Sequence, residues 1–258
     1  MMQQLSLSVI MPALNEENNI EKSVRNALNA IDDYKIDGQV VVVNDGSSDR
    51  TQEIATNLQA QDDRVKVVTH EKPWGFGASF WDGVDHATKD HVVLLPGDNE
   101  NDPWEILMYS PLLEHVDIVI PFVYNKEVRS TYRRILSFVY RMVVNVTFRT
   151  NLNYTNGTVL YNRSILMQLP HRSNSFFFQT DILIRLLHRG YLFAEVPYRL
   201  EQREGGVSKA VSFPNFVQVA KGYLRLFKDM HYHGDDAQVL DDTKSANRNR
   251  VSNDRFQP

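Results

Sequence analysis

The sequence predicts an α/β fold with a mostly parallel sheet that is covered by helices on both faces. Short apolar runs alternate with helical segments through the first half of the chain, which is the order expected for β-α-β units. Three of these runs end in acidic and amide residues. Open α/β sheets bind ligands at the carboxyl ends of their strands, so this fold also predicts where a site would lie.

The elements of the first half follow in a regular order. Strands are predicted at residues 6–12, 39–44, 65–69, 91–96 and 116–122. Helices are predicted at residues 17–32, 49–60 and 77–88, with Asp49 as a candidate N-cap. A further helix begins at Pro103, a residue that suits a first helical turn.

The second half contains two amphipathic helices, at residues 129–149 and 213–229. A strand at 157–161, a helix at 177–189 and a strand at 191–198 lie between them. The 129–149 helix is either a core helix or one that lies on an anionic membrane surface. Its apolar stripe and its basic residues are Ile135, Leu136, Val139, Met142, Val143 and Val146, and Arg129, Arg133, Arg134, Arg141 and Arg149.

Composition limits the class of protein. The 258 residues include 42% apolar and 23% charged residues, as in ordinary globular proteins, and the net charge of −4 gives no reason to expect a nucleic-acid partner. The absence of cysteine excludes disulfides and thiolate chemistry and fits a cytoplasmic location. No apolar run approaches the length of a membrane span, and no signal peptide is seen, so any membrane contact is expected to be peripheral, at the inner face.

The chain is expected to form one domain over residues 1–232, with a nucleotide half at 1–123 and an acceptor half at 124–232. Residues 233–258 are polar and are predicted to be a disordered tail.

Polar clusters follow three of the predicted strands. They are Pro12-Ala13-Leu14-Asn15-Glu16-Glu17, Asn44-Asp45-Gly46-Ser47-Ser48-Asp49 and Pro96-Gly97-Asp98-Asn99-Glu100-Asn101-Asp102. Carboxylates at one sheet edge can hold a divalent cation and, through it, a phosphate-bearing ligand. The clusters therefore predict a nucleotide site.

The order of these motifs carries a resemblance. PALNEE, VNDGSSDRT, a glycine loop at Trp74-Gly75-Phe76-Gly77, PGDNENDP and REGGVSK together resemble the family 2 glycosyltransferases with the GT-A fold. The chain is most similar to the dolichyl-phosphate mannose synthase and polyprenyl-phosphate glycosyltransferase branch, over residues 5–228. The resemblance implies inverting transfer of a hexose from a nucleotide-sugar donor, with Mg²⁺ or Mn²⁺ as cofactor.

The resemblance also implies roles for individual residues around the donor. Pro12, Leu14 and Glu16 match a loop that lines the nucleoside, and Val43 and Asp45 match a pair that contacts the base and ribose. In the third cluster, Gly97, Asp98 and Glu100 are assigned to nucleotide binding, with Asp98 as the direct metal ligand and Glu100 beside the metal and diphosphate.

Other residues are assigned to closure and to the acceptor. Arg203 and Lys209 match basic residues of a loop that closes over the diphosphate, although solvated loop charges are the alternative. Gln179 and Asp181 match a pair near the acceptor, and Thr155-Asn156-Gly157 takes the place of a family turn. Asp181 is the candidate general base for a hydroxyl acceptor, or else a simple ion-pair partner of Arg185.

Three positions depart from the family pattern. Pro96 stands where the first Asp of Asp-x-Asp is expected, Val123 where an Arg is expected, and Asn44 where the first Asp of an Asp-Asp pair is expected. Mg²⁺ is commonly held by one or two carboxylates together with substrate phosphates, so Asp98 and Glu100 can still supply a metal site.

The resemblance implies a polyprenyl phosphate as the acceptor, at a membrane surface on which the two amphipathic helices would lie. The oxygen of such a phosphate is already anionic and needs little or no general base. Two alternatives remain open: transfer to a hydroxyl of a soluble sugar or glycan, and a non-catalytic nucleotide-sugar binding protein, the latter suggested by Pro96 and Val123. A nucleotidyltransferase is more distant, since the chain has no glycine-rich triphosphate loop of the Walker type. The sugar, the base (UDP or GDP) and the oligomeric state stay open.

Overall fold

The computed structural model describes residues 4–125, 131–199, 213–233 and 243–248 of the chain. The strands are β1 Ser6–Ala13, β2 Asp37–Asn44, β3 Val65–Thr69, β4 His91–Leu94, β5 Ile118–Val123, β6 Leu160–Asn162 and β7 Phe193–Tyr198. The helices are α1 Ile20–Asp33, α2 Thr51–Gln61, α3 Phe76–His86, α4 Pro103–Leu107, α5 Thr131–Phe148, α6 Arg163–Met167, α7 Phe178–His188 and α8 Phe213–Lys228. The described residues also include a 3₁₀ turn at Ser110–Glu114 and a π-helical turn at Asp229–His233.

The sheet confirms the predicted α/β fold. Its seven strands lie in the order β3-β2-β1-β4-β6-β5-β7. β6 runs antiparallel to both of its neighbours, while the pairs β1–β2, β1–β4, β2–β3 and β5–β7 are parallel. In the β1–β2 pair, Pro12 lies opposite Val43 and Ala13 opposite Asn44, so these two strands end side by side.

The core has one layer on each face of the sheet. Leu7, Val9 and Met11 of β1 pack with α1 on one face, whereas Ile10 packs with α3 on the other. Because successive strand residues point to opposite faces, a central strand that is covered on both sides reads as a continuous apolar run. For this reason the positions of the central strands can be predicted from the sequence.

Strand ends differ from the predicted bounds for a local reason at β4. The strand ends at Leu94 instead of residue 96, because its antiparallel partner β6 begins at Leu160, which lies opposite Val93. The pairing nevertheless continues past the strand, because Leu95 N–H donates to Ile10 O and Gly97 N–H donates to Pro12 O, at 2.9 and 3.0 Å.

Helix α5 lies on the surface with its apolar stripe outward. Val144 and Phe148 are buried, but eight large apolar side chains are each at least 40% exposed. They are Tyr132, Ile135, Leu136, Phe138, Val139, Met142, Val143 and Val146. The alternative of an ordinary core helix is therefore wrong. Within the described ranges, no helix combines the length and apolarity that crossing a bilayer requires.

Part of the predicted tail is structured. Residues 243–248 include a short helical segment in which Thr243 and Ser245 are buried. Lys244 N–H and Ser245 N–H donate to the buried carboxylate of Asp117, at 2.9 and 3.1 Å, and the Ser245 hydroxyl donates to it as well. These contacts lie within the stretch 233–258 for which disorder is predicted, and composition does not reveal them because the buried carboxylate is distant in sequence.

Candidate active site

The polar clusters after β1, β2 and β4 converge at one edge of the sheet. Asp45 N–H donates to Ala13 O at 2.9 Å, and Gly97 N–H donates to Pro12 O at 3.0 Å. The loop after β1 therefore lies between the other two. This arrangement brings together the predicted nucleotide residues Pro12, Leu14, Glu16, Asp45, Gly97, Asp98 and Glu100.

The first two loops are joined by a series of hydrogen bonds. Asn15 adopts a φ of 57° and its side-chain oxygen accepts from Ser48 N–H at 2.8 Å. Glu16 N–H donates to the buried Thr51 hydroxyl at 2.8 Å, and Glu17 N–H donates to Asp49 Oδ2 at 3.1 Å. The VNDGSSDRT segment thus fixes the backbone of the PALNEE loop before any ligand binds.

Asp45 is buried and holds the glycine loop. Its Oδ1 accepts from His70 Nδ1 and from Trp74 N–H, both at 2.7 Å, and its Oδ2 accepts from Gly75 N–H at 2.9 Å. A carboxylate offers about four lone-pair sites, so one further donor can still approach. The neighbouring Val43 has its side chain fully buried in the core, so only its backbone is available for the nucleoside contact expected there.

The loop after β4 presents two carboxylates on one turn. Asp98 Oδ1 accepts from Glu100 N–H at 3.1 Å, while Asp102 caps α4 by accepting from Trp104 N–H at 2.9 Å. Asp98 is therefore not the residue that caps α4. A Cβ on Gly97 would lie 2.9 Å from Ile20 Cδ1 and 3.4 Å from Pro12 O, so the loop passes close to β1 and α1 at this glycine.

Asp98 and Glu100 suit a hard divalent cation in their chemistry. Both side chains offer carboxylate oxygens as metal ligands, and their shared turn brings two negative charges to the ligand edge of the sheet. Among the residues that the structure describes, no group of three His, Cys, Asp or Glu side chains is arranged around a metal position. A cation at this site would need phosphate oxygens of the ligand to complete its coordination, as is common for Mg²⁺.

In the half of the chain that is assigned to the acceptor, α7 carries Gln179 and Asp181, and both make structural contacts. Gln179 is buried and its side-chain amide donates to Gly157 O at 2.6 Å, which fixes the Thr155-Asn156-Gly157 turn. Asp181 is also buried, and both of its oxygens lie 3.2 Å from Nε of Arg185. Burial raises the pKa of the Asp181 carboxyl, although the charge of Arg185 opposes this.

Arg185 also donates to Asp229 Oδ2, at 2.6 Å, so a buried guanidinium is shared by two carboxylates. This geometry favours the ion-pair alternative for Asp181 over a general base. Arg203 and Lys209 lie outside the described residues.

The sequence did not predict the series of contacts that runs from Asp45 through His70 to Asp82. His70 is buried directly after β3, and its Nε2 lies 2.6 Å from Asp82 Oδ2 on α3, opposite the Asp45 contact. The three residues are far apart in the sequence. The sequence signal for this group was a histidine directly after the strand predicted at 65–69, which leads to the ligand edge of the sheet.

Comparison with known proteins identifies the family. The family model described as Glycosyl transferase family 2 matches residues 8–177, which is more than half of the chain. The chain belongs to glycosyltransferase family 2. As a member of that family, it is a nucleotide-sugar-dependent hexosyltransferase with the GT-A fold.

Curated relatives support the polyprenyl-phosphate branch of family 2. The chain is 30% identical to polyprenol monophosphomannose synthase of Mycolicibacterium smegmatis, over 78% of this chain and 79% of the relative. It is 26% identical to undecaprenyl-phosphate 4-deoxy-4-formamido-L-arabinose transferase of Edwardsiella ictaluri, over 79% of this chain and 62% of the relative.

Solved structures share the fold of this family 2 chain. Glucosyl-3-phosphoglycerate synthase of Mycobacterium tuberculosis in complex with UDP superposes with a TM-score of 0.67 at 23% identity, over 86% of this chain and 80% of that one. A structure of the same enzyme with Mn²⁺, UDP and phosphoglyceric acid gives a TM-score of 0.66 at 21% identity, with 86% and 78% coverage.

Proposed function

We propose that this hexosyltransferase moves one sugar from a UDP- or GDP-sugar to a polyprenyl phosphate at the cytoplasmic surface of a membrane. The observation that carries the proposal is the outward apolar stripe of α5, which lies in the half of the chain assigned to the acceptor. The two curated relatives support the same acceptor class through their names.

The donor would bind at the edge formed by the loops after β1, β2 and β4. Asp98 and Glu100 would hold Mg²⁺ or Mn²⁺ there, and the cation would offset the charge of the departing nucleoside diphosphate. Solved structures of a protein with this fold contain Mn²⁺ or Mg²⁺ with UDP, which supports a divalent cation for this chain. Arg203 and Lys209 would add positive charge over the diphosphate.

The burial of Asp181 and its contact with Arg185 support a phosphate acceptor over a hydroxyl acceptor. A phosphate oxygen is already anionic, so it can attack the anomeric carbon directly while the bond to the diphosphate oxygen breaks and its electron pair leaves with the nucleotide. A hydroxyl acceptor would need a base within hydrogen-bond reach. The carboxylate of Asp181 is buried and both of its oxygens contact Nε of Arg185, so it is poorly placed to reach an acceptor hydroxyl.

The charge of the two surface helices supports a membrane as the site of reaction. The segments 131–148 and 213–228 contain three basic residues each and no Asp or Glu, although the whole chain has a net charge of −4. The helices are adjacent, since the Thr147 hydroxyl lies 2.6 Å from the Tyr223 hydroxyl. An apolar stripe with flanking arginines is typical of helices that lie in the interface of an anionic bilayer.

An acceptor competition assay tests the proposal. Purified protein is incubated with UDP- and GDP-hexoses and Mn²⁺, with polyprenyl phosphate in detergent or with 3-phosphoglycerate and free sugars as acceptors. Glycosylated polyprenyl phosphate that is absent with Asp98→Ala is the expected result. Product on soluble acceptors alone would instead support the second candidate function, which the phosphoglycerate complexes of the structural neighbours favour. Nucleotide binding without any turnover would contradict both.

A further inference from the structure

Resting on the proposed donor site, we propose that Trp74 is the surface on which the nucleobase of the donor stacks, and that His70 is the positioning residue that holds its indole. Trp74 is 53% exposed although it is a large aromatic residue. It belongs to the glycine loop that Asp45 holds at the ligand edge of the sheet.

The indole of Trp74 is already covered on one face. Its ring is stacked on the His70 ring, with centroids 4.4 Å apart and an interplanar angle of 20°. Since His70 is buried beneath it, the exposed surface of the indole lies on the opposite face and the edges. A flat aromatic face beside a nucleoside-binding carboxylate suits a purine or pyrimidine ring, because every base offers a π-face.

The histidine cannot turn without breaking contacts on both sides. Nδ1 lies 2.7 Å from Asp45 and Nε2 lies 2.6 Å from Asp82. Asp45 in turn accepts from the backbone N–H groups of Trp74 and Gly75. One carboxylate therefore fixes both the backbone of Trp74 and the ring on which its indole rests.

A close contact with Gly46 also holds the segment that leads to the glycine loop. Gly46 has a φ of +71°, and a Cβ there would lie 2.6 Å from the backbone carbon of Lys72 and 2.8 Å from Pro73 N. The turn after Asp45 thus lies directly against the segment that leads to Trp74. This close approach gives the Trp74 indole a defined position before the nucleotide binds, which lowers the entropic cost of binding.

Fluorescence and calorimetric titrations with UDP and GDP, each with Mn²⁺, test the proposal. Trp74→Leu is expected to weaken binding of the preferred nucleotide roughly 5- to 100-fold, the range that loss of one base–aromatic stack produces. Binding of inorganic pyrophosphate with Mn²⁺ should not change. Trp74→Phe keeps a ring and should retain most of the affinity, and the quenching of tryptophan emission by the nucleotide should disappear in both variants. Tyr232→Leu, at an exposed aromatic elsewhere, is the matched control.

His70 is tested through its outer partner, Asp82. Asp82→Ala removes the acceptor for Nε2, whereas Asp82→Asn keeps an oxygen at that position. We expect Asp82→Ala to raise the KM for the donor severalfold with little change in kcat, and Asp82→Asn to restore it.

If the wild-type protein binds neither UDP nor GDP, the proposed function itself fails. If it binds one of them and Trp74→Leu binds it equally well, the stacking proposal alone is overturned. Loss of pyrophosphate binding in Trp74→Leu would also overturn it, because the residue would then act on the phosphate site or on the fold.

Discussion

The side-chain amide of Asn44 donates to Gln52 Oε1 over 2.6 Å, and the same oxygen accepts from the Thr69 hydroxyl at 2.8 Å. Asn44 is buried at the end of β2, at the position where the family resemblance implies an aspartate. The departure from the family pattern therefore has a structural explanation, since a carboxylate could not donate to Gln52. The side-chain oxygen of Asn44 accepts from Ser47 N–H at 3.1 Å, as an aspartate oxygen would.

The first prediction concerns this pair. Asn44→Asp should lower the free energy of unfolding by about 1–3 kcal/mol, because it replaces a donor with a charge opposite an acceptor in a buried position. Urea denaturation at neutral pH measures the change. Asn57→Asp introduces the same charge at an exposed position of α2 and should be close to neutral. Equal effects of the two substitutions would contradict the role of the hydrogen bond.

A second prediction concerns the metal site. Asp98→Ala should lower kcat by about 100-fold or more, because the charge of the leaving diphosphate would lose its metal partner. Pro96→Asp restores the family carboxylate and should lower the Mn²⁺ concentration that gives half-maximal rate. Activity measured against Mn²⁺ concentration tests both, with the exposed Glu114→Gln as control. An unchanged Mn²⁺ dependence in both variants would remove Asp98 from the metal site.

A third prediction separates the two roles of Asp181. If the residue is structural, Asp181→Asn should keep turnover within about tenfold of the wild type, well short of the 10²–10⁴-fold that a general base contributes. It should lower the free energy of unfolding by about 1–3 kcal/mol at neutral pH, less than for a fully broken buried pair, because Asp229 still partners Arg185. A loss of turnover beyond about 100-fold with an unchanged melting temperature would instead assign the base role to Asp181.

The fourth prediction follows from the raised pKa of Asp181. Since burial raises this pKa, the folded protein binds the proton more tightly than the unfolded chain does. The Asp181 contribution to stability therefore falls as the pH rises from about 4 through the raised pKa. Melting temperatures from pH 4 to 7 for the wild type and Asp181→Asn measure it. The difference curve should slope in that direction, and a flat curve would contradict the shift.

The fifth prediction concerns α5. Ile135→Asp and Val146→Asp, at side chains that are 60% and 74% exposed, should each weaken sedimentation with anionic liposomes about tenfold or more, since each removes apolar burial in the bilayer and adds a negative charge. Binding should also weaken at high salt. Met108→Asp, at a 47% exposed apolar residue elsewhere on the surface, is the control. Liposome binding that none of these changes affects would exclude α5 as the contact surface.

The sequence by itself determined the α/β fold, the family and the edge of the sheet at which the candidate site lies. These follow from local pattern: apolar runs of strand length, their alternation with helices, and the polar clusters that end β1, β2 and β4. A buried parallel strand must be apolar along its whole length, and parallel strands end together, so both features are written into short segments of chain.

The tertiary structure decided the partners of the charged residues and the direction of the amphipathic faces. Asp45 meets His70 across 25 positions of sequence, and Asp117 meets Ser245 across 128. The spacing of apolar residues in α5 indicated a stripe but not what it faces, because helical periodicity describes one helix and burial depends on its neighbours. Asp181 likewise could have been a base or an ion-pair partner of Arg185 within α7, and the burial of both side chains favours the pair.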